Sequence, residues 1–243
     1  MFANYHTHTA RCHHATGEDK AYVEAAIQNG FQVLGFSDHC PWIFSDGYVS
    51  PIRMTPDELD GYVTSLTALK KEYAADITIY IGLESEYVPE MLPEQQKFLQ
   101  DYPIDYQILG EHFLYPEQRG IYTGKPTDNA AELKHYVDQV IAGMETGNYL
   151  YLAHPDLFHF IGDPACYEQE FRRLCVYLKE KQIPIEINQL GLTDHRQYPN
   201  LAFLKIAESV GNTAIIGCDA HHPSVLLDTD SQQACKKLAE QYH

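Results

Sequence analysis

The strongest constraint on this chain is a repeated order: a short β-branched or aromatic run, a turn, then an amphipathic stretch. The apolar runs are predicted at Phe2 to His8, Gln32 to His39, "ITIYIGLE" ending at Glu84, Tyr106 to Phe113, Tyr149 to Asp156, Ile183 to Gly191 and Thr213 to His222. Helices are predicted from about Gly17 to Asn29, Thr55 to Tyr73, Asn129 to Thr146, Tyr167 to Lys181, Leu201 to Val210 and Ser231 to Tyr242. Local chemistry marks their ends. Thr16 with Asp19 reads as a start signal, and "TPDE" at Thr55 to Glu58 as a capping box with proline at the first helical position. Gly30, Gly147 and Gly211 read as stops. Strands alternating with helices predict parallel β-α units, and continuous apolar runs suit strands buried on both faces. Such units can close into an α/β barrel; an open doubly wound sheet is the other solution. No linker or low-complexity stretch divides the 243 residues, so one domain over 1–243 is expected. No Gly-rich phosphate loop follows any strand, which weakens a nucleotide-cofactor reading.

The polar residues fall at the strand ends. His6 and His8 close the first run, Asp38 and His39 the second, Glu84 the third and His112 the fourth. His154 and Asp156 close the fifth, and Asp219 and His221 the last. In a barrel those ends meet at one mouth, where barrel active sites lie. One strand histidine alone is ordinarily a satisfied core or surface residue. A ring of close imidazoles and carboxylates is costly to bury without cations to organise it. His6-Thr7-His8 sends both imidazoles to one face of a strand, and Asp219-Ala220-His221 repeats the geometry. Glu84 has two oxygens that could bridge two cations. Of His13 and His14, in the loop after the first run, one is expected to bind. The donor set is nitrogen and oxygen, which suits Zn, Mn or Fe, and it is too large for one ion. Two or three divalent metal ions are expected. Such a site generates hydroxide near neutral pH and clamps an in-line displacement, as phosphate ester hydrolysis requires.

The formal net charge of −17 argues against a nucleic-acid partner. No apolar run reaches the roughly 20 residues of a membrane helix, so no membrane partner is expected. "MFANYHTHTA" lacks the pattern of a signal peptide, and a cytoplasmic location is expected. The six cysteines form no C-x-x-C and are read as reduced thiols, mostly in the core. Cys12, Cys40 and Cys218 lie beside candidate ligands but are secondary candidates in so His- and carboxylate-rich a neighbourhood.

"HTHT", the strand-ending "DH", "GLE", "ILGEHF", "AHPD" and "GCDAHH" occur in the order found in PHP-domain proteins. The chain resembles that family over essentially its whole length. "HTHTARCHHATGED" and "GLTDHRQYPN" are most similar to its histidinol-phosphatase branch. The resemblance implies a distorted (β/α)7 TIM-like barrel and a phosphoric monoester hydrolase of histidine biosynthesis. The small-molecule substrate would be L-histidinol phosphate, cleaved to L-histidinol and phosphate. It implies a first metal on His6, His8, Glu84 and Asp219, a second on Glu84, His112 and His154, and a third on His14, His39 and His221. A hydroxide bridging the first two metals would attack phosphorus. Asp219 could accept its proton, and an acid such as Asp38 or a metal-bound water could protonate the leaving group. Thr193 stands where relatives commonly carry arginine, His159 where a basic residue is common, and Glu111 where glutamine is usual. Arg196, shortly after Thr193, could bind the phosphate instead. Glu86, Asp156 and Glu111 could help attract a cationic substrate. Two alternatives remain: another phosphate monoester, such as a nucleotide or phosphotyrosine, and an amidohydrolase-like C–N hydrolase, whose barrels also open with H-x-H.

Overall fold

A computed structural model describes residues 2–242. The fold is α/β with parallel strands. In chain order the elements are β1 (Ala3–Asn4), α1 (Asp19–Gln28), β2 (Val33–His39), α2 (Leu59–Glu72), β3 (Thr78–Ser85), α3 (Leu92–Leu99) and β4 (Tyr106–Leu109). They continue with α4 (Ala130–Glu145), α5 (Pro164–Glu180), β5 (Ile185–Asn188), α6 (Gln189–Thr193), α7 (Leu201–Val210), β6 (Ala214–Gly217) and α8 (Thr229–Tyr242). The sheet order is β1-β2-β3-β4, with β5 and β6 as a separate parallel pair. No helix among the described residues is long and apolar enough to cross a membrane.

Two compact units are distinguished: Met1–Gln107 with Cys218–Gln232, and Ile108–Gly217 with Gln233–His243. In the first unit β2 and β3 pair in register from Val33↔Thr78 to His39↔Glu84, so His39 and Glu84 finish side by side. Phe31, Leu34, Phe36, Ile79, Ile81 and Leu83 join Tyr22 of α1 and Tyr62 and Leu66 of α2 in its buried core. Tyr106 crosses beneath the strands, its hydroxyl donating to the carbonyls of Tyr5 (2.7 Å) and Phe36 (3.0 Å). That crossing needs Gly82, where a Cβ would lie 2.5 Å from the Tyr106 ring. In the second unit Tyr136 of α4, Phe158, Phe171 of α5 and Phe203 of α7 form an aromatic core.

Several predicted strands are shorter than their apolar runs. β1 stops at Asn4, because the Asn4 side chain captures its neighbours' backbone. Its Oδ1 accepts the His6 N–H (3.2 Å) and its Nδ2 donates to the His6 carbonyl (3.1 Å). The chain re-pairs at Thr7, opposite Ala220. The run at Tyr149 to Asp156 keeps one ladder residue, Leu152, bridged to both Leu109 and Ile185. The run to Gly191 ends at Asn188, whose side chain accepts the Gly191 N–H at 2.9 Å and opens α6. β6 ends at Gly217, and Asp219 turns the chain with φ 51°. Among the described residues, six named strands and the Leu152 bridge are therefore observed in place of seven full strands.

The capping box at Thr55–Glu58 is present. Thr16 does not cap α1: its N–H donates to the His221 carbonyl at 2.9 Å, and Glu18 takes the cap position. α3 was not predicted; "LPEQQKFL" is short, polar and opens with proline near its first turn.

Candidate metal centre

The first unit gathers His6, His8, His14, His39, Glu84, Asp219 and His221. His6, His8 and Asp219 each offer a ligand atom within 4.8 Å of the others; so do His8, His39 and Glu84, and His14, His39 and His221. His6 Nε2 lies 3.5 Å from Glu84 Oε1 and 3.5 Å from Asp219 Oδ1. His8 Nε2 is 3.1 Å from Asp219 Oδ1 and 3.6 Å from Glu84 Oε2. His39 Nδ1 is 3.1 Å from the same Glu84 oxygen. All but His14 and His221 are buried.

Asp38 lies behind His8. Its Oδ1 is 3.3 Å from His8 Nδ1 and accepts the His39 N–H at 2.9 Å, while Oδ2 accepts the Thr9 hydroxyl. A His8 Nδ1–H donated to Asp38 leaves the Nε2 lone pair aimed at Asp219 and Glu84. A carboxylate orienting an imidazole in this way is the usual support of a metal ligand.

His14 and His221 supply the clearest test of fit. His14 Nδ1 is 2.7 Å from the Cys12 carbonyl and His221 Nδ1 is 3.0 Å from the Asp219 carbonyl. A carbonyl accepts from N–H, so in the neutral form of each ring Nδ1 carries the proton and Nε2 presents a lone pair. Those Nε2 atoms face each other at 3.0 Å. Only a cation stabilises that arrangement: a proton on one ring or a metal ion shared with His39. The donor set fits divalent ions.

The clustered groups shift one another's titration. Burial opposes charge on His8, but hydrogen bonds to Asp219 and Asp38 outweigh it and raise its pKa. Burial would raise Asp219, yet His6, His8 and His221 hold it well below the usual carboxylate range. Burial and the positive neighbour His8 push His221 down to about 3.

His13 stands apart from the cluster, 3.3 Å from Glu58 at the exposed end of a short turn. Cys12, a secondary candidate from the sequence, lies with His8 and His221 within 4.8 Å and is buried. Burial opposes its thiolate, but hydrogen bonds with His14 and His8 outweigh it and lower its pKa. Asn4 was not foreseen. It donates to the Thr7 hydroxyl at 2.7 Å and accepts the Cys218 N–H at 2.8 Å, so it ties the H-x-H loop to the strand end carrying Asp219. Only its position two residues before His6 could have signalled it.

In the second unit the His112 and His154 rings lie 5.0 Å apart. Tyr198 sits 5.7 Å from His154, and its hydroxyl accepts from Arg196 at 3.2 Å. Arg196 also pairs with Asp194 at 3.0 Å. The Thr193 hydroxyl turns back to the Gln189 carbonyl at 3.0 Å. Three carboxylates expected to attract substrate have internal partners. Glu86 holds Arg53 at 2.9 Å and accepts from Trp42, Glu111 accepts from Gln139 at 3.2 Å, and Asp156 accepts the Asn200 N–H.

Residues 4–190 match the PHP domain. The chain belongs to the PHP-domain family. This PHP-domain chain is 26% identical over 228 residues to a protein of Deinococcus radiodurans named a probable histidinol-phosphatase, covering 90% of this chain and 85% of that one. It is 34% identical over 115 residues to the histidinol-phosphatase of Bacillus subtilis, covering 45% and 43% of the two chains. Its fold is similar to that of histidinol phosphate phosphatase from Lactococcus lactis, solved with zinc, L-histidinol and phosphate. The TM-score there is 0.75 at 19% identity, covering 99% of this chain and 93% of that one.

Proposed function

We propose that this PHP-domain chain is a metal-dependent phosphatase that hydrolyses L-histidinol phosphate to L-histidinol and phosphate. The observation that carries the reading is the facing of His14 and His221 beside the His6, His8, Glu84 and Asp219 cluster. It suits a shared cation, and it occurs in a family in which a relative matched over 90% of this chain is named a probable histidinol-phosphatase. Under this reading His6, His8, Glu84 and Asp219 hold one ion, and His14, His39 and His221 another. His112 and His154 serve a further ion. The two compact units are read as parts of one domain over 1–243, a distorted (β/α)7 barrel in which the Leu152 bridge stands for the missing strand.

Bound divalent ions supply a nucleophile at neutral pH and neutralise charge on the phosphoryl oxygens. The protein's residues do the rest. Asp219, whose Oδ1 lies 3.1 Å from His8 Nε2, would take the proton released on attack. Asp38 orients His8, and a proton role for it requires release of one of its present partners. Arg196 offers a fork of N–H donors to a phosphate oxyanion. The six free cysteines suit a reducing, cytoplasmic setting.

Steady-state kinetics of the zinc- or manganese-loaded protein test the assignment. The panel comprises L-histidinol phosphate, nucleoside monophosphates, phosphotyrosine and simple amides. The highest kcat/KM is expected on L-histidinol phosphate. Turnover confined to another phosphate ester moves the substrate, and hydrolysis confined to C–N bonds establishes the amidohydrolase reading.

A further inference from the structure

His154 adopts φ 28°, a left-handed conformation that an L residue with a large side chain enters only under constraint. The constraint is visible. Up to Ala153 the chain follows a parallel ladder: Leu109 N–H donates to Tyr151 O at 3.0 Å, and Ala153 N–H donates to Leu109 O at 2.9 Å. The next amide, His154 N–H, leaves that ladder and donates to a side chain, Glu186 Oε2, at 2.9 Å. Glu186 lies within β5, opposite Ile215 of β6, and is 2% exposed.

The Glu186 carboxylate is itself fixed. Oε2 also accepts from Asn188 Nδ2 at 2.9 Å, and Oε1 accepts from the Tyr151 hydroxyl at 3.2 Å. Gly217 keeps its space open, since a Cβ there would lie 1.8 Å from Oε1. A buried charge with this many donors is a stiff anchor rather than a tolerated accident. By holding the His154 amide out of register, it turns the His154 ring to within 5.0 Å of His112.

We infer that Glu186 is a positioning residue for metal binding: it sets the backbone of His154 so that His112 and His154 converge on one ion. The inference rests on the proposed reading of His154 as a ligand. In this role Glu186 acts through the His154 main chain.

The test is zinc content after dialysis and zinc affinity by titration of the full chain, with thermal melts of the metal-free forms recorded alongside. His154→Ala is the control and should release one class of zinc site; if it releases none, the ligand reading itself fails. Glu186→Asp keeps the charge but shortens the reach. It should weaken that same class about 10- to 100-fold and leave the others filled. Glu186→Gln can still accept the His154 amide and donate to the Tyr151 oxygen, and should restore the ion. If Glu186→Asp does not fold, Tyr151→Phe, which removes one donor from the carboxylate, should weaken the same class by a smaller factor. Wild-type zinc affinity in folded Glu186→Asp or in Tyr151→Phe, with the His154→Ala control positive, overturns the inference. So does a loss in Glu186→Asp that Glu186→Gln shares in full.

Discussion

His14 Nε2 and His221 Nε2 face each other at 3.0 Å, and each ring is locked through Nδ1 to a backbone carbonyl. The two side chains come from opposite ends of the sequence, yet neither can turn its lone pair away without breaking its own anchor. A proton on one ring, or a metal ion held by the pair, would relieve the facing lone pairs.

Under the proposed reading, replacing His14 would remove a ligand and replacing His13 would not. His14→Ala should lose metal, read by plasma mass spectrometry, and lose activity with it. His13→Ala gives up an exposed pair with Glu58, worth about 0–1 kcal/mol, and puts alanine at a φ of 68°, so it should lose a little stability but keep its metal.

Asp38 supports His8 from behind. Asp38→Ala should weaken metal binding about 10- to 100-fold without removing any ligand. Zinc titration against a chelating dye reads the change. Unchanged affinity would show that His8 is oriented by its packing alone.

Chelation should destabilise the fold, because it leaves buried imidazoles and carboxylates without the ions that organise them. Dialysis against a strong chelator should lower the melting temperature, and zinc or manganese should restore it. Acid should act in the same direction: imidazoles bind metal only when neutral, so binding weakens as pH falls, with His8, whose pKa is raised, taking a proton before His221, which is pushed down to about 3.

Gly82 leaves room for the Tyr106 ring. Gly82→Ala places a methyl group 2.5 Å from that ring and should cost about 1–3 kcal/mol or more by overpacking. Denaturant unfolding of the metal-free protein gives the value directly.

Thiol accessibility separates the cysteines. Cys166 is half-buried, and the other five are buried. Burial pushes Cys40 and Cys175 up to about 12, so neither offers a thiolate at neutral pH. Brief alkylation of the native protein, mapped by mass spectrometry, should mark Cys166 first.

The sequence made the alternation of strands and helices legible because burial on both faces leaves long apolar runs and because helix ends carry their own chemistry. The capping box at Thr55 and the stop at Gly211 are local signals, and both appear where the pattern put them. Strand lengths were not legible for one recurrent reason. At Asn4, His154, Asn188 and Asp219 a side chain captures backbone groups or the chain turns left-handed, and the ladder ends. Apolar pattern is blind to such contacts, which pair residues far apart in the chain. The candidate ligands were legible as types at strand ends. Their supports, Asn4 and Glu186, were not, since one polar residue inside an apolar run carries no mark of what it will hold.

The first unit is built from two stretches of chain, Met1–Gln107 and Cys218–Gln232, and the candidate centre draws on both. His8 N–H donates to the Ala220 carbonyl at 3.0 Å, which sews the far stretch to the near one. During synthesis the H-x-H pair leaves the ribosome long before Asp219 and His221 exist. An ion held by His8 and Asp219, as proposed, would be a clasp on a loop of roughly 200 residues, a closure whose entropic cost grows only with the logarithm of its length. A late stop codon before Cys218 would not trim this protein; it would leave the clasp with one jaw.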